Sequence, residues 1–119
     1  MVVSLVASAM MASVLIADIG GYLAARLQAA AAADAAALAA APMTFSAFGT
    51  SDTPAMAAGS VATANGATLV ECRCPIDRSW GIRRVDVVVS RDVDLGLFGR
   101  MEVRAASAAE FDPTALIEP

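Results

Sequence analysis

The chain has 119 residues, 58% of them hydrophobic, and a mean hydropathy of +0.65. That is more apolar than a soluble domain of this size usually is, so a membrane segment is the first thing to seek. The 8 basic residues are all arginine, there is no histidine, and the net charge is −4. These counts remove the commonest metal ligand and neutral-pH general base, and nothing in the bulk charge invites nucleic acid.

From Val2 to Ala25 the chain reads VVSLVASAMMASVLIADIGGYLAA, with Asp18 as its only charge. As a helix rising about 1.5 Å per residue, this run spans roughly 36 Å, enough for a hydrocarbon core of about 30 Å with some tilt. Tyr22 and Arg26 stand where an interfacial aromatic and a basic anchor belong. A cleaved signal peptide would carry a basic stretch ahead of the apolar run, and a buried core helix of this length would need a larger domain around it. Residues 1–25 are therefore expected to form a transmembrane helix. Nothing breaks the helix after Arg26: alanine is the best helix former, and the first proline, Pro42, disfavours helical geometry only at Ala41. Residues 26–41 are expected to continue the same helix beyond the membrane surface.

Small residues recur at every fourth position, Ala9, Ser13, Ala17, Gly21 and Ala25, and on through Ala29, Ala33 and Ala37. The neighbouring register carries Met11, Leu15, Ile19, Leu23 and Leu27. In a membrane such a small-residue ridge lets two helix backbones approach closely, so helix–helix packing is expected there, though an alanine-rich sequence produces rows like this readily. Asp18 is the intramembrane acid. A carboxylate costs about 2.5–3.5 kcal/mol at mid-bilayer, so it either snorkels to the near interface or faces a polar contact on a neighbouring subunit.

Beyond Pro42 the pattern changes. Thr53 can cap a helix, Pro54 suits its first position and Asn65-Gly66 its end, so Pro54–Ala64 reads as a short helix. Three strand-like runs follow: Ala67–Cys74, Ile82–Arg91 and Arg100–Ala106. In the second, Val85, Val87 and Val89 alternate with Arg84, Asp86 and Ser90. In the third, Met101, Val103 and Ala105 alternate with Arg100, Glu102 and Arg104. Short links containing Pro75, Gly81, Gly96 and Gly99 suit an antiparallel meander, one face polar and one covered by the upper helix and the Pro54 helix. The expected fold is α+β: a long N-terminal helix, one short helix and a small three-stranded antiparallel sheet. Residues 42–109 form the head and 110–119 a flexible tail.

Cys72 and Cys74 share a strand face, where i and i+2 Cα atoms stand about 6.5–7 Å apart, the outer limit for a disulfide. A structural disulfide or free thiols, an intermolecular bridge, and a redox or metal motif follow in that order. The last ranks low because the redox Cys-x-x-Cys spacing and histidine are both absent. The run DRSWGIRR interleaves Arg78, Arg83 and Arg84 with Trp80. It can stack a base and hold a phosphate, but reads first as a solvated loop with one packed aromatic. No paired-carboxylate site, nucleophilic triad or glycine-rich phosphate loop is present, so no catalytic residue, cofactor or metal is expected and the chain is read as no enzyme.

The apolar helix running into RLQAAAAADAAALAAA, followed by ANGATLVECRC, resembles the TadE/TadG-like proteins of the Flp (Tad) pilus machinery. It is most similar to the short actinobacterial secretion-neighbourhood TadE-like branch. Arg26, Gln28, Ala32, Ala33, Asp34, Ala36, Ala37 and Leu38 carry the first part of the resemblance. Asn65, Gly66, Leu69 and Cys72 carry the second, an Asn-Gly-Ala-x-Leu-x-x-Cys pattern. The chain departs from the family in opening on MVVS rather than an Arg-rich stretch with Gly-Ser, in lacking the early helix glutamate of pilins, and in its second cysteine. The resemblance implies a single-pass, minor-pilin-like structural component of pilus assembly or secretion, its head outside the cytoplasm, its partners the bilayer and other pilin-like membrane subunits. Arg26 alone would place its own side in the cytoplasm instead. The alternative is a membrane-tethered binding or thiol-redox module acting through the Arg78–Arg84 loop or the Cys72/Cys74 pair.

Overall fold

The computed structural model describes residues 1–45 and 52–117. Helix α1 is one unbroken element, Val2–Met43, of 42 residues. After it come α2 (Pro54–Ala64) and the strands β1 (Thr68–Arg73), β2 (Arg83–Leu95) and β3 (Gly99–Phe111). The strands form one antiparallel sheet in the order β1-β2-β3. The architecture is α+β, as the sequence pattern leads one to expect.

Alanine decides how the layers meet. The buried alanines of α1 recur at threes and fours along one stripe: Ala25, Ala29, Ala32, Ala33, Ala36, Ala37, Ala40 and Ala41. Opposite them lie Val85, Val87 and Val89, all at 0% exposure, with Ala109. A stripe of Cβ atoms lets the sheet lie close to the helix backbone, and each valine so covered contributes about 1.5–3 kcal/mol. Helix α2 joins the same core through Ala58 and Ala62. Its start is built as anticipated: Met56 N–H donates to Thr53 Oγ1 at 3.1 Å, with Pro54 in the first position. At its end Gly66, at φ +75°, occupies the left-handed region.

Both long strands outrun their expected lengths. Strand β2 ends at Leu95 rather than Arg91, and β3 runs to Phe111 rather than Ala106. Two inward-facing polar residues conceal the continuation. Arg91 stands in the register of Val89 and Val93 and donates to the Gly66 carbonyl at 3.1 Å. Ser107 stands in the register of Ala105 and Ala109 and donates to the Asp34 carboxylate on α1. Each breaks the apolar alternation without ending the strand.

Three further boundaries differ. Helix α1 passes Pro42 and closes at Met43, where Thr44 Oγ1 donates to the Ala41 carbonyl at 2.6 Å. Strand β1 is shorter than the Ala67–Cys74 run and carries a register shift between Leu69 and Glu71. The tail expected from Glu110 onward is ordered through its described part: Phe111 closes β3, and Pro113–Leu116 form a 3-10 turn with Pro113 buried. Its last two residues lie outside the described ones.

The molecule measures 73 × 27 × 17 Å with a radius of gyration of 20.2 Å, against about 13–14 Å for a compact chain of this length. The excess comes from the start of α1, where Val2–Ala17 are exposed on every side. Substituting Ala33→Leu, at the fully buried contact with the sheet, is expected to cost at least about 1–3 kcal/mol through overpacking. Ala31→Leu, on the exposed face of the same helix, should change stability by less than about 0.5 kcal/mol. Urea unfolding of the purified chain in detergent compares the two.

Candidate membrane and subunit interface

Because β2 and β3 are long, their hairpin reaches far down α1. It runs antiparallel from the Arg83–Phe111 pair at the top to the Leu95–Gly99 pair at the tip. Gly99, at φ +68°, lets the chain reverse there. The tip meets Asp18: the backbone N–H groups of Gly96 and Leu97 donate to its two carboxylate oxygens, each at 2.8 Å. Asp18 is thereby 5% exposed. It neither snorkels along a bare helix nor waits for another subunit, because this chain supplies its polar partner. A Cβ placed on Gly96 would stand 3.3 Å from Asp18 Oδ1 and 3.7 Å from Val14 Cγ1, so the tip lies close against the helix.

The same docking divides the small-residue ridge. Gly21 faces Leu95, whose Cδ2 would stand 3.3 Å from an added Cβ. Ala25 packs with Val103, and Tyr22, Val93 and Ala105 lie against that cluster. Gly21 and Ala25 therefore serve contact within the chain, a correction to their expected place between helices. Ala9, Ser13 and Ala17 remain exposed. Ser13 Oγ donates to the Ala9 carbonyl at 2.9 Å, and Ser8 Oγ to the Ser4 carbonyl at 2.8 Å, so these hydroxyls do not oppose an apolar surrounding. Helix α1 is long and apolar enough to cross a membrane, and its most apolar part is almost wholly unburied.

At the opposite end lies the arginine loop, and here one arginine is already committed. Arg83 is 5% exposed and points its guanidinium at main-chain carbonyls: those of Asp77 and Ser79, Gly81 at 2.9 Å and Thr44 at 3.5 Å. It also sits 5.3 Å from the Phe45 ring centre, with Trp80 packed edge-on to that ring at 5.0 Å. Arg84 pairs with Asp86 at 3.2 Å on the exposed sheet face. The Ser79 backbone N–H, donating to Asp77 at 2.8 Å, holds the Asp77 carboxyl below its ordinary range. This arrangement fastens the loop to the end of α1; it does not present a fan of free cations.

Cys72 and Cys74 are joined in a disulfide with a Cα separation of 5.4 Å. The wider spacing expected of a continuous strand does not apply, because β1 ends at Arg73 and the chain bends before Cys74. Both cysteines pack against the main core. No group of three or more acidic or cysteine side chains positioned to hold a metal ion occurs among the described residues.

Sequence reasoning missed the clamp on Asp18 and the buried role of Arg83. The first had one available signal, the uncharged LGLFG segment between two charged strands, a tip suited to an apolar surface. No family model, curated protein or solved structure matches the chain.

Replacing Asp18 with Ala leaves two turn amides without their charged acceptor, each such bond being worth about 1.5–3 kcal/mol. Amide exchange at Gly96 and Leu97 is expected to accelerate roughly 10- to 100-fold, while Val87 in the core keeps its protection. Equal exchange in both proteins would mean the clamp contributes nothing.

Proposed function

We propose that the chain is a membrane-anchored, minor-pilin-like structural subunit of a Flp (Tad) pilus or a related secretion apparatus. It assembles through the lower part of α1 and has no catalytic role. The observation that carries this reading is the double use of one helix, bare and apolar from Val2 to Ala17 and the spine of the head from Asp18 to Met43. A bare apolar helix needs lipid or other helices around it, and an unbroken link transmits the orientation of one half to the other.

Charge sets the level of the bilayer. Beside Tyr22 and Ala25 lies Val93, whose chain neighbours are Asp92 and Asp94 and whose partner across the hairpin, Met101, stands between Arg100 and Glu102. The Arg100–Asp92 pair, 2.9 Å apart, is exposed. Charged groups of this number do not enter hydrocarbon. The membrane boundary accordingly falls near Asp18, lower on the helix than Ala25, which leaves the lipid a run of about 24 Å, at the short end for a spanning segment and accommodated by local thinning of the bilayer. The head stands outside the cytoplasm, where a disulfide persists. The motif residue Asp34 fits the same picture, tying α1 to β3 through Ser107.

The tethered binding or thiol module draws less support, since Arg83 is consumed by carbonyls and the cysteines are bonded to each other, half-buried against the core. The assembly surface left to the subunit is the exposed part of the ridge, Ala9, Ser13 and Ala17. Introduced as Ser13→Cys, a thiol on this ridge should give a disulfide-linked species in oxidised native membranes. Leu15→Cys, on the opposite side of the helix, should give little. Equal cross-linking at both sites, or none at either, would remove the ridge as the contact. Gly21→Leu is unsuited to this purpose because it strikes Leu95 within the chain.

A further inference from the structure

We infer that the β2–β3 hairpin tip is a second membrane anchor, seated in the interface between headgroups and acyl chains beside α1. The inference rests on the membrane reading of α1. The tip, Leu95–Gly99, carries no charged side chain, and Leu97 and Phe98 are 51% and 62% exposed. They do not stand alone. Ile19 and Leu23, also exposed, share with Phe98, Leu95, Tyr22 and Met101 the lining of an open cavity of about 280 Å³ beside Asp18. The apolar surface of the bare helix, through Leu15 and Ile16, therefore continues onto the hairpin, and the one acid between them, Asp18, lines the cavity with its carboxylate turned to the tip amides. That continuity names the occupant: the same lipid that surrounds the lower helix.

The backbone chemistry agrees. A turn entering a low-dielectric layer must have its amides satisfied, and those of Gly96 and Leu97 are both held by Asp18. The carboxylate in turn is shielded by the tip that it holds. Just above, Arg100 and Asp92 lie where an exposed pair meets headgroups and water. A helix alone fixes neither tilt nor rotation in a bilayer. A hairpin tip rigidly attached to one side of it fixes both, so each subunit presents its ridge and its head in a set direction.

The test uses the full chain in phosphatidylcholine vesicles, with lipids brominated near the top of the acyl chains as quenchers. In a Trp80→Phe background, single tryptophans are introduced as Phe98→Trp at the tip, Ile16→Trp in the bare helix and Leu116→Trp at the far end of the head. An indole seated about 5–10 Å into the interface should lose roughly half or more of its emission. That loss is expected for Phe98→Trp and Ile16→Trp but not for Leu116→Trp. Quenching of Ile16→Trp while Phe98→Trp behaves as Leu116→Trp overturns the anchor and leaves the spanning helix standing. Absence of quenching at Ile16→Trp and Phe98→Trp alike overturns both.

Discussion

Everything in this molecule depends on the close approach of a valine face to an alanine stripe. Val85, Val87 and Val89 are wholly buried because the helix opposite them offers little beyond Cβ atoms for more than four turns. Larger residues on the stripe would lift the sheet away, open the lower contact of Val103 with Ala25 and Ala29, and move the hairpin tip off Asp18. The alanine-rich segment is thus a docking track, its uniformity allowing one hairpin of two 13-residue strands to follow the helix down its length.

The track explains the acid in the apolar run. An aspartate there is costly if left alone, and a hairpin turn with two unpaired amides is costly if pressed onto an apolar helix. Asp18 and the turn resolve each other's deficit, so two unfavourable elements become one fixed point. That point also separates the uses of α1: above it one stripe of the helix packs against the sheet and α2, and below it the helix is exposed on every side.

The long helix, the short capped helix, the three strands and their order are legible in the sequence because each rests on a local rule: helix propensity, a Thr-Pro start, an Asn-Gly stop, alternation of valine with charge. The full strand lengths are not, since Arg91 and Ser107 interrupt the alternation while satisfying partners that only the folded chain provides, the Gly66 carbonyl and Asp34. The candidate site divides in the same way. The apolar run, its small-residue ridge and its lone acid stand out in the sequence. That Gly21, Ala25 and Asp18 face the chain's own hairpin depends on contacts spanning more than seventy residues. The loop arginines look alike in sequence, yet Arg83 is buried and Arg84 exposed because strand parity turns one inward.

We propose a membrane-anchored subunit whose disulfide-bearing head stands outside the cytoplasm, and labelling with a membrane-impermeant maleimide on intact cells, with and without prior mild reduction, puts that arrangement to the test. Incorporation at Cys72 and Cys74 in intact cells, and only after reduction, is the predicted result. Incorporation that requires lysis would put the head in the cytoplasm and contradict the pilin-like arrangement.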